Sequence, residues 1–285
     1  MKSKIPSKRL ITTFLILISH VAASNKKRKG YFFITTLGIT SLAFIMFMSV
    51  ACAAPYAYIT NYNSNSISVI DTATNTVAAT VPNVAYPEEV AASPDGKEVY
   101  VSNIDFNTVS VIDTATNTVT NKIIVGSSPE GLAVTSDGTK VYVANVLGNT
   151  VSIIDTATNT VAATVPVGNY PEKVAVAPNV NKLYVTNSVS SNVYVFDPFS
   201  NTVTATISLG TQPMGVAVTP DGKNVYVAGA PVSVINVATN TVAATVPVGS
   251  NPWGVAVSPD GTNVYVRTYA LERGKTPYPL KYKYR

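Results

Sequence analysis

The sequence predicts an all-β fold built from repeats of one small four-stranded sheet. Three observations predict it: strand- and turn-forming residues dominate, the sequence repeats itself every 42 residues, and each repeat divides into four short apolar runs separated by turn signals. Tyr58, Tyr100, Tyr142, Tyr184 and Tyr226 are each 42 residues apart, and Tyr265 follows after 39. Asp71, Asp113, Asp155 and Asp197 keep the same period, with Asn236 in the next place after 39 residues. The three-residue deletion falls between Gly229 and Ser233, in a loop, where a change of length costs least. Four strands in a period of ~40–50 residues select a β-propeller over a sandwich or a solenoid.

Within one period the first strand is an apolar triplet such as Val216-Ala217-Val218. A turn such as Pro220-Asp221-Gly222 follows, because Asp-Gly tolerates positive φ and suits a tight hairpin. The second strand is the Val-Tyr-Val run, as at Val141-Tyr142-Val143, and an Asn-rich loop leads to the third, as at Val151-Ser152-Ile153-Ile154. The turn cluster Asp155-Thr156-Ala157-Thr158-Asn159 then opens the fourth strand, Thr160 to Val167. A segment of Gly and Pro, such as Gly168 to Pro171, starts the next copy. Strands apolar on both faces fit sheets packed between two neighbours.

These segments resemble a known family. Tyr58-Ile59-Thr60-Asn61, Tyr184-Val185-Thr186-Asn187, and the companions IDTATNTV and PDGTNVYV are similar to YVTN repeats over residues 56 to 268. The resemblance implies a β-propeller, often of seven blades, of a kind frequent in archaeal surface-layer and cell-surface proteins. This chain departs from it, since five first, six second, five third and five fourth strands make 21, or five blades and one extra strand. After Val266 the repeat stops, so a complete seven-bladed ring is in doubt. Pairing of Val255-Ala256-Val257 with the strand around Tyr58 would close a ring, whereas an open ring would expose a strand edge and invite self-association.

Three regions follow: an N-terminal signal or anchor over residues 1–54, the repeats over 55–268, and a basic, tyrosine-rich tail over 269–285. The first holds apolar stretches from Leu10 to Ser24 and from Tyr31 to about Val50, divided by the basic run Lys26 to Lys29. The second stretch ends in Ala51-Cys52-Ala53-Ala54, a signal-like pattern of basic segment, apolar core and small residues. It is also long enough for an uncleaved anchor, and lipid attachment at Cys52 is a third reading, although Ser49 is a poor lipobox residue. All three put the repeats outside the cytoplasm, with the membrane touched only through this segment.

Charge and residue usage narrow the function. The formal net charge of +5 comes from the two ends; between Ala54 and Val266 there are six basic residues against fourteen acidic. Such a body gains nothing from phosphate contacts, so nucleic acid is not an expected partner. The only His, His20, and the only Cys, Cys52, precede the repeats, which removes the commonest general base and the commonest zinc ligands. Gly-rich phosphate loops and DxDxDG calcium loops are missing too. No catalytic residue, metal or cofactor is expected. The repeated Asp residues, including Asp95, Asp137, Asp221 and Asp260, read as turn formers, and the repeated Tyr as a packing residue between blades whose hydroxyl bonds to a loop.

One position changes while the scaffold repeats. The residue after the blade-entry Pro is Glu88, Glu130, Glu172, Met214 and Trp253 in turn, and Tyr86 and Tyr170 precede two of these prolines. At the mouth of a central channel they would form an acidic arc facing Met214 and Trp253, a candidate ligand site. The expected function is a non-catalytic surface or secreted propeller that binds other surface or matrix components, or a ligand, at its loop face. The alternative is a metal-dependent, lactonase-like hydrolase using Glu88, Glu130 and Glu172, with Asn145 among further oxygen ligands.

Overall fold

The computed structural model describes residues 56–178 and 182–268, and the expected signal or anchor region and the basic tail lie outside the described residues. The described chain is all-β, in six antiparallel sheets. The first has three strands, β1 (Tyr56–Asn61), β2 (Ser66–Asp71) and β3 (Thr76–Pro82). The second has β4 (Pro87–Ala92), β5 (Glu98–Asn103), β6 (Thr108–Asp113) and β7 (Thr118–Ile124). The third has β8 (Pro129–Val134), β9 (Lys140–Asn145), β10 (Thr150–Asp155) and β11 (Thr160–Pro166). The fourth has β12 (Pro171–Ala177), β13 (Lys182–Asn187), β14 (Asn192–Asp197) and β15 (Thr202–Ser208). The fifth has β16 (Val216–Val218), β17 (Asn224–Val227), β18 (Val232–Asn236) and β19 (Thr241–Val246). The sixth has two, β20 (Pro252–Val257) and β21 (Val264–Thr268). Twenty-one strands in this order are the number and the grouping that the repeats predict.

The turns carry the chemistry their sequences announce. Asp71, Asp113, Asp155 and Asp197 each accept a backbone N–H two or three residues on, and Asn236 does the same where the Asp is replaced. The closing Asn of each such turn, from Asn75 to Asn240, sits at φ near 54–55 or 53, a left-handed conformation that Asn tolerates well. In the first hairpins, Asp95, Asp137, Asp221 and Asp260 accept a Ser or Thr hydroxyl and a backbone N–H, which pulls their carboxyls below the usual range, Asp95 and Asp260 to about 2.

The core lies between sheets rather than within one. One cluster joins Ile67, Val69 and Val81 of the first sheet to Val99, Val101 and Ile112 of the second. The next joins Tyr100, Val109 and Val111 to Val141, Val143 and Ile154, and two further clusters repeat the arrangement from third to fourth and fourth to fifth sheets. The first strands β4, β8, β12, β16 and β20 lie against one another in succession, so the sheets stack radially with their first strands innermost. The two outer strands of each of the first five sheets shift register by one residue, as at Ile153/Ile154, a bulge that adds the local twist such sheets need.

Two expectations are corrected. β20 pairs with β21 and β1 pairs only with β2, so among the described residues no ladder joins Val255–Val257 to the strand around Tyr58. The inner strands also begin earlier than the apolar triplet, at Pro87, Pro129, Pro171 and Pro252, because the Pro residue itself pairs with the second strand across a bulge. That bulge builds the candidate site.

Candidate functional site

Each inner strand carries one extra residue right after its proline. Pro87 pairs with Asn103 and Val90 with Val101, so Glu88 and Glu89 leave the ladder. Glu130 and Gly131 leave it between Pro129 and Leu132, and Glu172 and Lys173 between Pro171 and Val174. A bulge frees side chains from the strict in-and-out alternation of a strand and re-aims them. Hydroxyls on the second strands hold it in place: the Ser102 Oγ accepts from the Glu89 N–H at 3.0 Å, and the Thr186 Oγ1 accepts from the Lys173 N–H at 3.1 Å. The same hydroxyls reach forward to the next sheet, Thr60 donating to the Glu88 carbonyl (3.1 Å), Ser102 to that of Glu130 (2.6 Å) and Thr186 to that of Met214 (2.7 Å). Gly131 makes the closest approach: a Cβ there would stand 2.4 Å from the Glu172 carbonyl oxygen and 2.6 Å from the Lys173 Cα.

The bulges of the second, third and fourth sheets therefore converge on one ammonium. Lys173 Nζ lies 2.5 Å from Glu89 Oε2 and 3.6 Å from Glu130 Oε1. Glu130 and Glu172 are buried, 8% and 9% exposed, and the Lys173 side chain is one-fifth exposed (21%). Burial raises the Glu130 carboxyl to about 8; Lys173 pulls it down and the neighbouring Glu172 pushes it up again. Glu172 is also raised by burial, though hydrogen bonds from the Ser188 Oγ (2.7 Å) and from Glu130 oppose the shift. At neutral pH Glu130 is thus the protonated partner that donates to the Glu172 carboxylate. Half-buried Glu88 is raised by burial and by the charge on Glu130. For Lys173, burial alone would lower the pKa, but Glu130 and Glu89 outweigh it and hold the side chain charged.

A stability dependence follows from the sign of these shifts. Glu130 binds its proton more tightly in the folded protein than its model value of 4.5 allows in the unfolded chain. Its favourable contribution is whole below pH 4.5, declines as pH rises and is lost beyond about 8. The melting temperature is expected to fall between pH 5 and pH 9, and Glu130→Gln is expected to flatten that part of the profile. A profile that rises over this window, or one unchanged by the substitution, contradicts the assignment.

The expected arc is thus realised in Glu88, Glu130 and Glu172, but as a compact ionic cluster rather than three free carboxylates. Met214 and Trp253 occupy the equivalent places on the next two sheets. Met214 lies just before β16, its N–H donating to the Ala228 carbonyl (2.8 Å), and Trp253 is 47% exposed with its carbonyl accepting from Gly215 N–H (2.9 Å). Tyr86 and Tyr170 take positive φ values of 45° and 55° ahead of their prolines. The Tyr86 ring stacks on Phe106 with centroids 6.1 Å apart and meets Tyr62 edge-on at 5.3 Å, which forms an aromatic patch on the entry-loop face. Sequence reasoning missed Glu89, Lys173, Tyr62 and Phe106. The second residue after each Pro varies as much as the first (Glu89, Gly131, Lys173, Gly215, Gly254), a signal that was present in the repeat alignment. Among the described residues no group of three or more His, Cys, Asp or Glu is arranged to hold a metal ion, and none of the helices there is long and apolar enough to cross a membrane.

Known proteins share this architecture. A chain of hydrazine synthase from Kuenenia stuttgartiensis is 26% identical, with a TM-score of 0.69 over 74% of this chain and 70% of that one. A functionally unknown protein from Desulfotomaculum acetoxidans is 21% identical, with a TM-score of 0.68 over 75% of this chain and 72% of its own. The dihydro-heme d1 dehydrogenase NirN is 18% identical, with a TM-score of 0.60 over 70% of this chain and 45% of its own. The last two likenesses concern the fold alone. No curated protein matches the sequence significantly. The family model described as YNCE-like beta-propeller matches residues 24–138, 98–183 and 131–230, and with most of its length so covered the chain belongs to the YNCE-like β-propeller family.

Proposed function

We propose that this propeller is a non-catalytic binding module, exported and displayed at the cell surface, that engages a surface component or a ligand through its entry-loop face. One observation carries the reading: the backbone of successive inner strands repeats while the bulge residues change, from Glu88-Glu89 through Glu130-Gly131 and Glu172-Lys173 to Met214-Gly215 and Trp253-Gly254. A rigid repeated frame carrying varied side chains on one face is how repeat proteins build recognition surfaces. The exposed Trp253 and Phe106 supply apolar contact area beside the charged cluster. The surface-layer type belongs to this proposal, and export is supported by the signal-like segment before the repeats. Against the hydrolase reading stands the engagement of Glu130 by Lys173 and Glu172, which leaves it poorly disposed to bind a metal. Only the sheet architecture is taken from the enzymes with similar structures.

Two measurements test the proposal. Protease added to intact cells is expected to cut the propeller while cytoplasmic markers survive. The purified chain is expected to sediment with isolated cell envelopes, and Trp253→Ala combined with Phe106→Ala to weaken that binding by about fivefold or more, as loss of exposed aromatic anchors does. Full protection from protease, or retention indifferent to both substitutions, defeats the proposal.

A further inference from the structure

The internal interfaces have one composition, and each of its halves is left bare at one end of the stack. The leading face of the second sheet presents Ala91 and Tyr100, with Val109, Val111 and Ile123 outside them; the trailing face of the third receives them with Val141, Val143, Ile154 and Val161. The same halves meet between the third and fourth sheets, where Tyr142 and Ala133 face Leu183, Val185, Phe196 and Val203. Tyr184 of the fourth sheet meets Val225, Val227 and Ile235 of the fifth.

At the end of the stack, the sixth sheet repeats the leading half. Tyr265 and Ala256 stand in the places of Tyr100 and Ala91, but Tyr265 is 64% exposed where Tyr100 is fully buried, and Ala256 is exposed. At the beginning, the first sheet repeats the trailing half. Ala57, Ile59, Ile70 and Val77 stand in the places of Val141, Val143, Ile154 and Val161. Ile59 is 47% and Val77 60% exposed, against 0% for both Val143 and Ile154. The two bare faces belong to one chain and do not cover each other.

We infer that these faces are the two sides of a head-to-tail joint between copies of this chain, in which the Tyr265 and Ala256 face of one copy packs on the Ala57 and Ile59 face of the next. The occupant is a second copy because the chain itself shows, at its internal interfaces, which surface fits each bare face. A two-fold dimer is excluded by that fit, since each face complements the other and not itself. Two strands meeting three bury less than an internal interface, so the association is concentration-dependent.

The test uses the full chain in mild detergent with Cys52→Ser as background. One preparation carries Ile59→Cys, a second Tyr265→Cys. Oxidising the mixture is expected to yield a covalent dimer that neither preparation yields alone, because a disulfide forms only between closely apposed Cβ atoms. Sedimentation velocity is expected to show larger species that grow with concentration and vanish on Ile59→Asp, while the melting temperature of that variant is retained because Ile59 is exposed in the single copy. Overturning results are a mixture that stays monomeric, larger species indifferent to Ile59→Asp, or a double variant Ile59→Cys/Tyr265→Cys that closes within one chain. The last would mean that the chain covers its own faces.

Discussion

Replacing Lys173 with methionine is expected to cost about 3 kcal/mol of stability, the low end for removing one partner of a buried ion pair. The magnitude follows from what is left behind. Glu130 and Glu172 remain buried on adjacent inner strands, Glu89 loses its 2.5 Å partner, and no other cation stands near any of them in an ion pair among the described residues. The cluster joins three consecutive sheets, so the loss is expected to loosen the inner strands together. Adding Glu130→Gln to Lys173→Met should recover part of the loss, because it removes a carboxyl whose ionised form has lost its counter-charge. Chemical denaturation of the two variants reads both numbers. A Lys173→Met protein as stable as the parent would show that the ammonium is a solvated bystander.

The second large effect concerns Tyr184. Its ring is fully buried in the cluster between the fourth and fifth sheets, with Val193, Val195, Val225 and Val227 around it. Tyr184→Ala is expected to cost about 3–5 kcal/mol, the range for truncating a buried aromatic side chain. Tyr184→Phe is expected to be neutral or slightly stabilising, because the Tyr184 hydroxyl is buried without a hydrogen-bond partner, and burial holds it protonated with its pKa up at about 12. Tyr100 behaves differently: its hydroxyl donates to Glu98 Oε2 at 2.6 Å, so Tyr100→Phe is expected to cost about 1 kcal/mol. Equal effects of the two Tyr→Phe changes would contradict the reading of the repeat.

Much of this fold was legible because the repeat states its rules several times over. Four copies of Asp-Thr-Ala-Thr-Asn with the same spacing to a Val-Tyr-Val run identify a turn and a strand more firmly than any single copy could. The tyrosine hydroxyls show the limit of such reasoning. The ring packs alike in Tyr100, Tyr142 and Tyr184, but the hydroxyl bonds to the turn of the next sheet in Tyr58 (Asn117) and Tyr142 (Pro198), to its own strand in Tyr100, and to nothing in Tyr184. The difference lies in the residue two places earlier. It is Glu98 in one copy and Lys140 or Lys182 in others, and the lysines reach the next sheet themselves, at Pro198 and Val237.

The site was half legible. The variable position after each proline drew attention to Glu88, Glu130 and Glu172, but a reading of separate strands treated Pro as lying outside the sheet. The bulge, which places the second residue beside the first on the inner rim, depends on pairing with the neighbouring strand. Local sequence does not show that pairing, so Lys173 and Glu89 went unnoticed. The aromatic patch of Tyr62, Tyr86 and Phe106 was hidden for the same reason, since its members come from three loops that only the stacking of sheets brings together.

The central claim is that neighbouring inner strands pack so closely that a glutamic acid of one is sealed between the lysine and glutamic acid of the next. A carbon-13 NMR titration that follows the Glu130 side-chain carboxyl measures this directly. The sealed arrangement requires a midpoint near 8, moved by Glu172→Gln. A midpoint close to the ordinary value of 4.5 would place that carboxyl in water and separate the sheets that the whole description stacks together.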